Sequence, residues 1–192
     1  KSHHKMSTLE AFNAAMLPLE KHPGTSDLTS RNLSQTTSNK LFLVCPFSGL
    51  ETFIREKYGN NVYFLTVLGT HFQADEAGYV KKVADFILRE DIKELYVVND
   101  ISCRFINKTL KREPGFGTKV EYLLKQIYIE NYLKVRQNND LREQQVKLAS
   151  LNVYRQMHVL LHHKVLSRLR LKHNITIHGV VTSKETNQVI MI

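Results

Sequence analysis

Three short apolar runs that alternate with helical patterns constrain the fold of this chain more than any other feature. The runs lie at residues 41–45, 62–65 and 94–98, and stretches with apolar residues at helical spacing follow each of them. Uninterrupted apolar strands are typical of a sheet covered on both faces, and strand–helix alternation implies right-handed crossovers between parallel strands. The sequence therefore predicts an α/β domain with a mostly parallel sheet flanked by helices.

The second half of the chain predicts two long helices and a closing hairpin. Helical spacing extends over 119–136 and 141–171, and apolar runs at 175–181 and 189–191 flank a turn at Glu185-Thr186-Asn187. Turn residues between two short β-type runs indicate a hairpin, which we place at one edge of the sheet. Earlier in the chain, Ser48-Gly49-Leu50-Glu51 has the spacing of a capping box and predicts that Ser48 caps a helix ending near Tyr58.

The N-terminal 40 residues differ in character from the rest. Ser7 and Glu10 form a second capping-box pattern ahead of a short amphipathic segment, and residues 21–40 are rich in Ser, Thr and Asn. We therefore divide the chain into an N-terminal helix with a polar arm (1–40) and an α/β domain (41–192). A helix separated by such an arm has an apolar face to cover, so we expect it to pack on a second copy of the chain and form a homodimer.

Charge and cysteine content bound the partners and the compartment. The formal net charge is +9, which favours anionic partners. Nucleic acid is the less favoured of these partners, because the sequence has neither a zinc-finger pattern nor an aromatic RNA-stacking signature. No apolar stretch is long enough to predict a membrane span, and the two cysteines do not resemble a secreted disulfide framework, so we expect a cytoplasmic location.

Candidate chemistry lies at the carboxyl ends of the predicted strands. Cys45 follows the first strand, while Asp100 and Cys103 follow the third. Ligands of open parallel sheets bind beyond these strand ends, so the three side chains could meet at one point. Two thiolates and a carboxylate suit zinc and leave a fourth position for water, so zinc is the candidate cofactor. The alternative is that both cysteines are buried structural residues.

At these residues the sequence resembles the β-class carbonic anhydrases. That family has Cys-x-Asp-Ser-Arg after its first strand, Arg-Asn-x-Gly after its second and Gly-His-x-x-Cys-Gly after its third. The corresponding segments here start at Cys45, at Thr66 and at Asn99, and the closing Ile177-His178-Gly179 and hairpin are also similar. The resemblance covers residues 41–192 in order and spacing, and it implies the fold of that family and dimers formed through N-terminal arms.

The resemblance also implies which site residues have changed. Cys45 and Cys103 match the two zinc cysteines, and Asp100 stands at the zinc histidine. Phe47 and Gly49 replace the aspartate that accepts a hydrogen bond from the zinc-bound water and the arginine that holds this aspartate off the metal. The exchange of histidine for Asp100 makes the ligand set more negative, which raises the pKa of a metal-bound water. We therefore expect hydration of CO2 to be weak, altered or lost.

Arg104 is the candidate for binding a small anion such as bicarbonate. It begins a predicted helix, whose N-terminal N–H groups favour anions, and its charge could also lower the pKa of Cys103. The alternative is an ordinary solvent-facing arginine.

Three classes of function remain open from the sequence. The first is a diverged β-carbonic-anhydrase-like zinc protein, a lyase if it is active. The second is a non-catalytic dimeric binding or scaffold protein with the same fold, that is, a pseudoenzyme. The third is a basic module that binds anions or nucleic acid through the positively charged late helices.

Overall fold

The computed structural model describes residues 37–192, which form a five-stranded sheet with helices on both faces. The strand order is β2-β1-β3-β4-β5; the first four are parallel and β5 is antiparallel to β4. The strands are β1 Asn39–Val44, β2 Val62–Thr66, β3 Ile92–Asp100, β4 Thr176–Ser183 and β5 Gln188–Met191. The predicted parallel sheet and edge hairpin are confirmed, and Leu41 of β1 lies beside Leu95 of β3 as neighbouring parallel strands require.

The helices follow the predicted order, but each of the two long ones is interrupted. The helices are α1 Glu51–Tyr58, α2 Ala77–Arg89, α3 Arg104–Lys111, α4 Lys119–Glu130, α5 Tyr132–Val135, α6 Leu141–His162 and α7 Lys164–His173. Asn131 separates α4 from α5, and His163 adopts an extended conformation (φ −66°, ψ 124°) between α6 and α7. Residues 46–48 and 68–70 form short 3-10 turns. No helix of the described residues combines the length and apolarity that crossing a bilayer requires.

The prediction that Ser48 caps α1 is wrong. Gly49 adopts the left-handed conformation (φ 56°), which ends the 3-10 turn and separates Ser48 from the helix. The helix begins at Glu51 after Leu50, which makes no side-chain cap, and Ser48 is buried.

The first strand starts at Asn39, two residues before residue 41, where we placed the start of the α/β domain; that division of the chain stays a prediction. The remainder of the predicted arm up to residue 36, including its amphipathic helix, lies outside the described residues.

Aromatic stacking fills the core on the face of the sheet that α1 covers. Phe42 of β1 stacks on Tyr96 of β3 with ring centroids 4.6 Å apart, and Tyr58 of α1 meets both rings edge-on. Such ring pairs add about 0.5–1.5 kcal/mol each beyond the area they bury. The cluster fixes β1 and β3 side by side and so brings their carboxyl ends together.

The opposite face is covered by α6, and Gly179 of β4 makes its close approach possible. A Cβ atom at Gly179 would lie 2.4 Å from Met157 Sδ and 2.7 Å from Val153 Cγ1, both on α6. Because a real Cβ does not approach other atoms that closely, the absence of a side chain here sets the distance between α6 and the sheet.

Candidate functional site

The two cysteines meet at the carboxyl edge of the sheet. Cys45 directly follows β1, Cys103 immediately precedes α3, and both are free and buried (1% and 0% exposed). Each thiol shifts the pKa of the other in opposite directions, as expected if the Cys103 thiol donates to the Cys45 sulfur. The parallel strands therefore bring this predicted pair of cysteines close together.

The surroundings of the pair favour a thiolate at Cys45. The hydrogen bond from Cys103, with those from the Gly69 and Phe47 backbone N–H groups, outweighs burial and lowers the pKa of Cys45 to about 6. The Gly69 N–H lies 3.3 Å from the sulfur. The same inter-thiol hydrogen bond, together with burial, raises the pKa of Cys103. The surroundings thus favour the thiolate at Cys45 and the thiol at Cys103.

Gly69 holds its N–H toward Cys45 because no other residue fits its position. Its φ is 57°, in the left-handed region, and a Cβ there would lie 2.3 Å from Val120 Cγ1. Asn152 of α6 fixes the same turn: its Nδ2 donates to Gly69 O (2.9 Å) and to Asn99 Oδ1 (2.6 Å). The sequence interpretation missed Asn152, although a buried amide on the apolar face of a helix is a signal of such a polar contact.

Asp100, the third predicted ligand, is bound by hydrogen-bond donors at the end of the sheet. Its carboxylate accepts from the Ser102 N–H (2.8 Å) and hydroxyl (2.5 Å), from the Thr182 hydroxyl (2.7 Å) and from the Lys184 N–H (3.2 Å). These donors account for both carboxylate oxygens and belong to the turn after β3 and to the end of β4. The structure therefore brings Cys45 and Cys103 together but engages Asp100 elsewhere.

The described side chains do not form the expected three-ligand zinc site in the arrangement that the structure shows. Within residues 37–192 no group of three or more His, Cys, Asp or Glu side chains is placed to hold a metal ion. Two sulfur atoms supply half of the tetrahedral set that zinc prefers, and the carboxylate expected as the third ligand has four donors of its own. Zinc binding by Cys45, Asp100 and Cys103 stays a prediction.

Phe47, at the position of the family's aspartate, is part of an aromatic cluster. Its ring lies 5.8 Å from that of the buried Phe105 and 6.5 Å from that of Phe116, the latter nearly parallel at 22°. Phe47 and Phe116 are each 52% exposed. The side chain that replaces a proton acceptor is thus an apolar surface beside the cysteines.

Arg104, the predicted anion ligand, lies over this cluster. The central carbon of its guanidinium is 5.5 Å from the centroid of the Phe47 ring and 5.8 Å from that of Phe116. Such cation–π contacts leave the N–H groups at the edge of the guanidinium open to an anion. No anion contact tests the assignment, so it stays a prediction.

Comparison with known proteins identifies the fold. No family model and no curated protein matches the sequence. A β-carbonic anhydrase of Sordaria macrospora, described as tetrameric, is 15% identical with a TM-score of 0.69 over 81% of this chain and 80% of that one. CafD, a β-carbonic anhydrase of Aspergillus fumigatus, is 17% identical (TM-score 0.69; 92% and 94% covered). The Coccomyxa β-carbonic anhydrase, solved with acetazolamide, is 14% identical (TM-score 0.67; 84% and 76% covered). The described chain has a β-carbonic-anhydrase-like fold, as the sequence resemblance predicted.

Proposed function

We propose that this chain is a diverged β-carbonic-anhydrase-like protein in which hydration of CO2 is weak or lost. The observation that carries the proposal is the engagement of Asp100 by Ser102, Thr182 and Lys184. A carboxylate held by four donors is removed from metal ligation unless those bonds break. Hydrogen bonds to charged groups each contribute about 1.5–3 kcal/mol. Zinc ligation by Asp100 would therefore have to offset the free energy lost when these hydrogen bonds break.

The replacements at Phe47 and Gly49 support the same proposal. Neither side chain can accept a proton or hold an anion, and the Phe47 ring is packed on Phe105 and Phe116. Positioned groups that handle protons typically contribute about 10²–10⁴-fold to a rate. A site without such a group would hydrate CO2 slowly even if it bound zinc.

The experiment that tests the proposal combines elemental analysis with CO2 hydration assays. We expect the wild-type protein, purified without chelator, to contain well under one zinc per chain and to show hydration near background. The triple variant Phe47→Asp, Gly49→Arg, Asp100→His should bind zinc and gain hydration that a chelator abolishes. The double variant Phe47→Asp, Gly49→Arg keeps Asp100 and is the matched control that should gain little.

Space at Gly49 permits the change to arginine in both variants. The atom nearest to a Cβ at Gly49 would be Lys184 Nζ at 3.6 Å, an ordinary contact, although its left-handed conformation costs an arginine about 1–2 kcal/mol. Stoichiometric zinc together with rapid hydration in the wild-type protein would contradict the proposal.

The alternative proposal is a non-catalytic binding or scaffold protein with the same fold, assembled as a homodimer through the N-terminal arm. The exposed aromatic and cationic cluster of Phe47, Phe116 and Arg104 favours binding as a role. In this alternative, Arg104 would bind a small anion such as bicarbonate. Loss of hydration in the triple variant as well as in the wild type would favour this alternative.

A further inference from the structure

Helices α4 and α5 display an exposed stripe of aromatic and apolar side chains with a lysine among them. Tyr122, Lys125, Ile129 and Tyr132 are spaced three, four and three residues apart, so they lie on one side of the helical segment. Tyr122 is 62% exposed, Ile129 61% and Tyr132 42%. At about 1.5 Å per residue, the stripe is roughly 15 Å long.

This stripe forms one wall of an open groove of about 770 Å³. The other wall is the end of α3 and the loop at 112–117, which contributes Arg112 and two glycines. Tyr128 is the buried floor. The groove is therefore elongated, with aromatic rings along one side and the end of α3 with its glycine-containing loop along the other.

Three basic and two acidic side chains line the groove, which leaves a small excess of positive charge. Lys108, Arg112 and Lys125 line it, and neither Arg112 nor Lys125 forms an ion pair with a described residue. Of the two acidic side chains in its lining, Glu113 is exposed, whereas Glu121 caps α4, where its carboxylate accepts from the Phe116 and Thr118 N–H groups. A ligand in the groove therefore meets unpaired cations.

Lys108 connects the groove to the aromatic cluster beside the cysteines. Its Nζ lies 4.1 Å from the centroid of the Phe116 ring, and Phe116 stacks on Phe47. Arg104 lies over both of these rings. Exposed rings and cations thus alternate from Phe47 along the surface and into the groove.

We propose that this surface binds single-stranded nucleic acid, with bases stacked on the exposed rings and phosphates at Arg112 and Lys125. Proteins that bind single strands combine a positively charged groove with aromatic side chains that stack successive bases. A stripe of about 15 Å is longer than one nucleotide and spans two to three of them, which favours a strand over a free nucleotide. In a duplex the bases are stacked on each other inside the helix, so they are not available to stack on the exposed rings.

The sequence interpretation placed possible nucleic-acid binding on the late basic helices and missed this surface, because its rings come from separate segments. Phe47 follows β1, Phe116 lies in the loop before α4, and Tyr122 and Tyr132 belong to α4 and α5. Only the fold places them along one surface. The proposal is independent of zinc and of CO2 hydration.

Fluorescence anisotropy with labelled oligothymidylate of about ten nucleotides tests the proposal on the full chain. We expect saturable binding that weakens as salt rises, and weaker binding of a duplex of the same length. Tyr122→Ala and Tyr132→Ala should each weaken binding roughly 5- to 150-fold, since stacking contributes about 1–3 kcal/mol per base. Tyr154→Ala is the matched control: Tyr154 is an exposed tyrosine of α6 (39%), away from the groove, and should have no effect.

A second matched pair separates the groove from general attraction to a basic protein. Lys125→Glu should weaken oligonucleotide binding, and lower the salt dependence of the affinity, more than Lys172→Glu does. Lys172→Glu is an equal change of charge at an exposed position of α7. Absence of binding overturns the proposal, as does equal loss in both lysine variants. Insensitivity of binding to Tyr122→Ala and Tyr132→Ala also overturns it. A wild-type dimer that these tyrosine variants convert to monomer, with oligonucleotide affinity unchanged, would assign the stripe to a second copy instead.

Discussion

At the scale of single residues, the cysteine pair shows how burial and hydrogen bonding decide which of two neighbouring thiols loses its proton. Both sulfur atoms are almost completely buried, and backbone N–H groups favour the thiolate at each of them: Gly69 and Phe47 at Cys45, Phe105 and Ile106 at Cys103. Only Cys45 is further stabilised by the other thiol, which donates to it. The negative charge is therefore favoured at Cys45. Proximity of the two cysteines followed from the strand ends in the sequence, whereas this division depends on the turn at Gly69.

The first prediction concerns the titration of this pair. Thiolate absorbance near 240 nm should appear with a midpoint of about 6, the lowered pKa of Cys45. Cys45→Ser should remove this transition. Cys103→Ala removes the main donor, so the midpoint should move to higher pH. A wild-type midpoint above 8 would contradict the assignment.

The same pKa shift has a consequence for stability. The pKa of Cys45 is about 6 in the folded chain and near 9 in the unfolded chain. Between these pH values the unfolded chain therefore binds one more proton than the folded chain. Stability against urea should therefore rise with pH from about 6 toward 9. Above that range the unfolded chain ionises Cys103 while the folded one keeps its proton, so stability should fall again. The contribution of Cys45 is absent below pH 6, and the rise should be lost in Cys45→Ser.

The second prediction concerns Asp100, whose role the sequence did not reveal. Its donors Thr182 and Lys184 are far away in the sequence, and only the pairing of β3 with β4 brings them to its carboxylate. Asp100→Asn places an amide opposite these donors and should destabilise the protein by about 1–3 kcal/mol in urea unfolding. Asp85→Asn, an exposed change on α2, should have almost no effect. Equal effects of the two changes would contradict the role given to Asp100.

At the scale of secondary-structure elements, apolar runs and helical spacing predicted most strands and helices, but not their exact ends. Ser48 has the residue spacing of a helix cap, yet the left-handed Gly49 isolates it from α1. The break at His163 divides a continuous helical pattern because its ψ of 124° is not helical. Sequence periodicity reports which face of an element is apolar and carries little information on where one residue leaves the helical conformation.

The third prediction tests the contact between α6 and the sheet. Gly179→Ala should destabilise the protein by about 1–3 kcal/mol, because the added methyl meets Val153 and Met157 and forces α6 away. Gly78→Ala is the matched control on α2, where nothing lies within 4 Å of an added Cβ. That change should stabilise by about 0.4–1 kcal/mol, since alanine restricts the unfolded chain. Thermal unfolding of both variants measures the difference, and no loss in Gly179→Ala would refute the packing argument.

At the scale of the whole molecule, the sequence predicted the β-carbonic-anhydrase-like fold because that fold is set by the order of strands and helices. The fold puts Cys45 and Cys103 together without fixing what Asp100 binds. The identity of site side chains can change while the sheet, which is held by Phe42, Tyr96 and the face of α6, remains. Resemblance to solved structures at 14–17% identity therefore establishes the architecture and leaves the chemistry to the residues present.

The last prediction concerns assembly, and it rests on the N-terminal sequence. Leu9, Phe12 and Met16 are spaced along one face of a helical pattern that a single chain is expected to leave uncovered. We predict a homodimer at micromolar concentration by sedimentation. The double variant Phe12→Glu, Met16→Glu should weaken the dimer at least about 100-fold, because burial of such side chains contributes about 1.5–3 kcal/mol each. Thr25→Glu, Thr29→Glu adds the same charge to the polar segment and should leave the dimer intact. A wild-type monomer, or equal weakening by both double variants, would show that the apolar face of the arm does not hold two chains together.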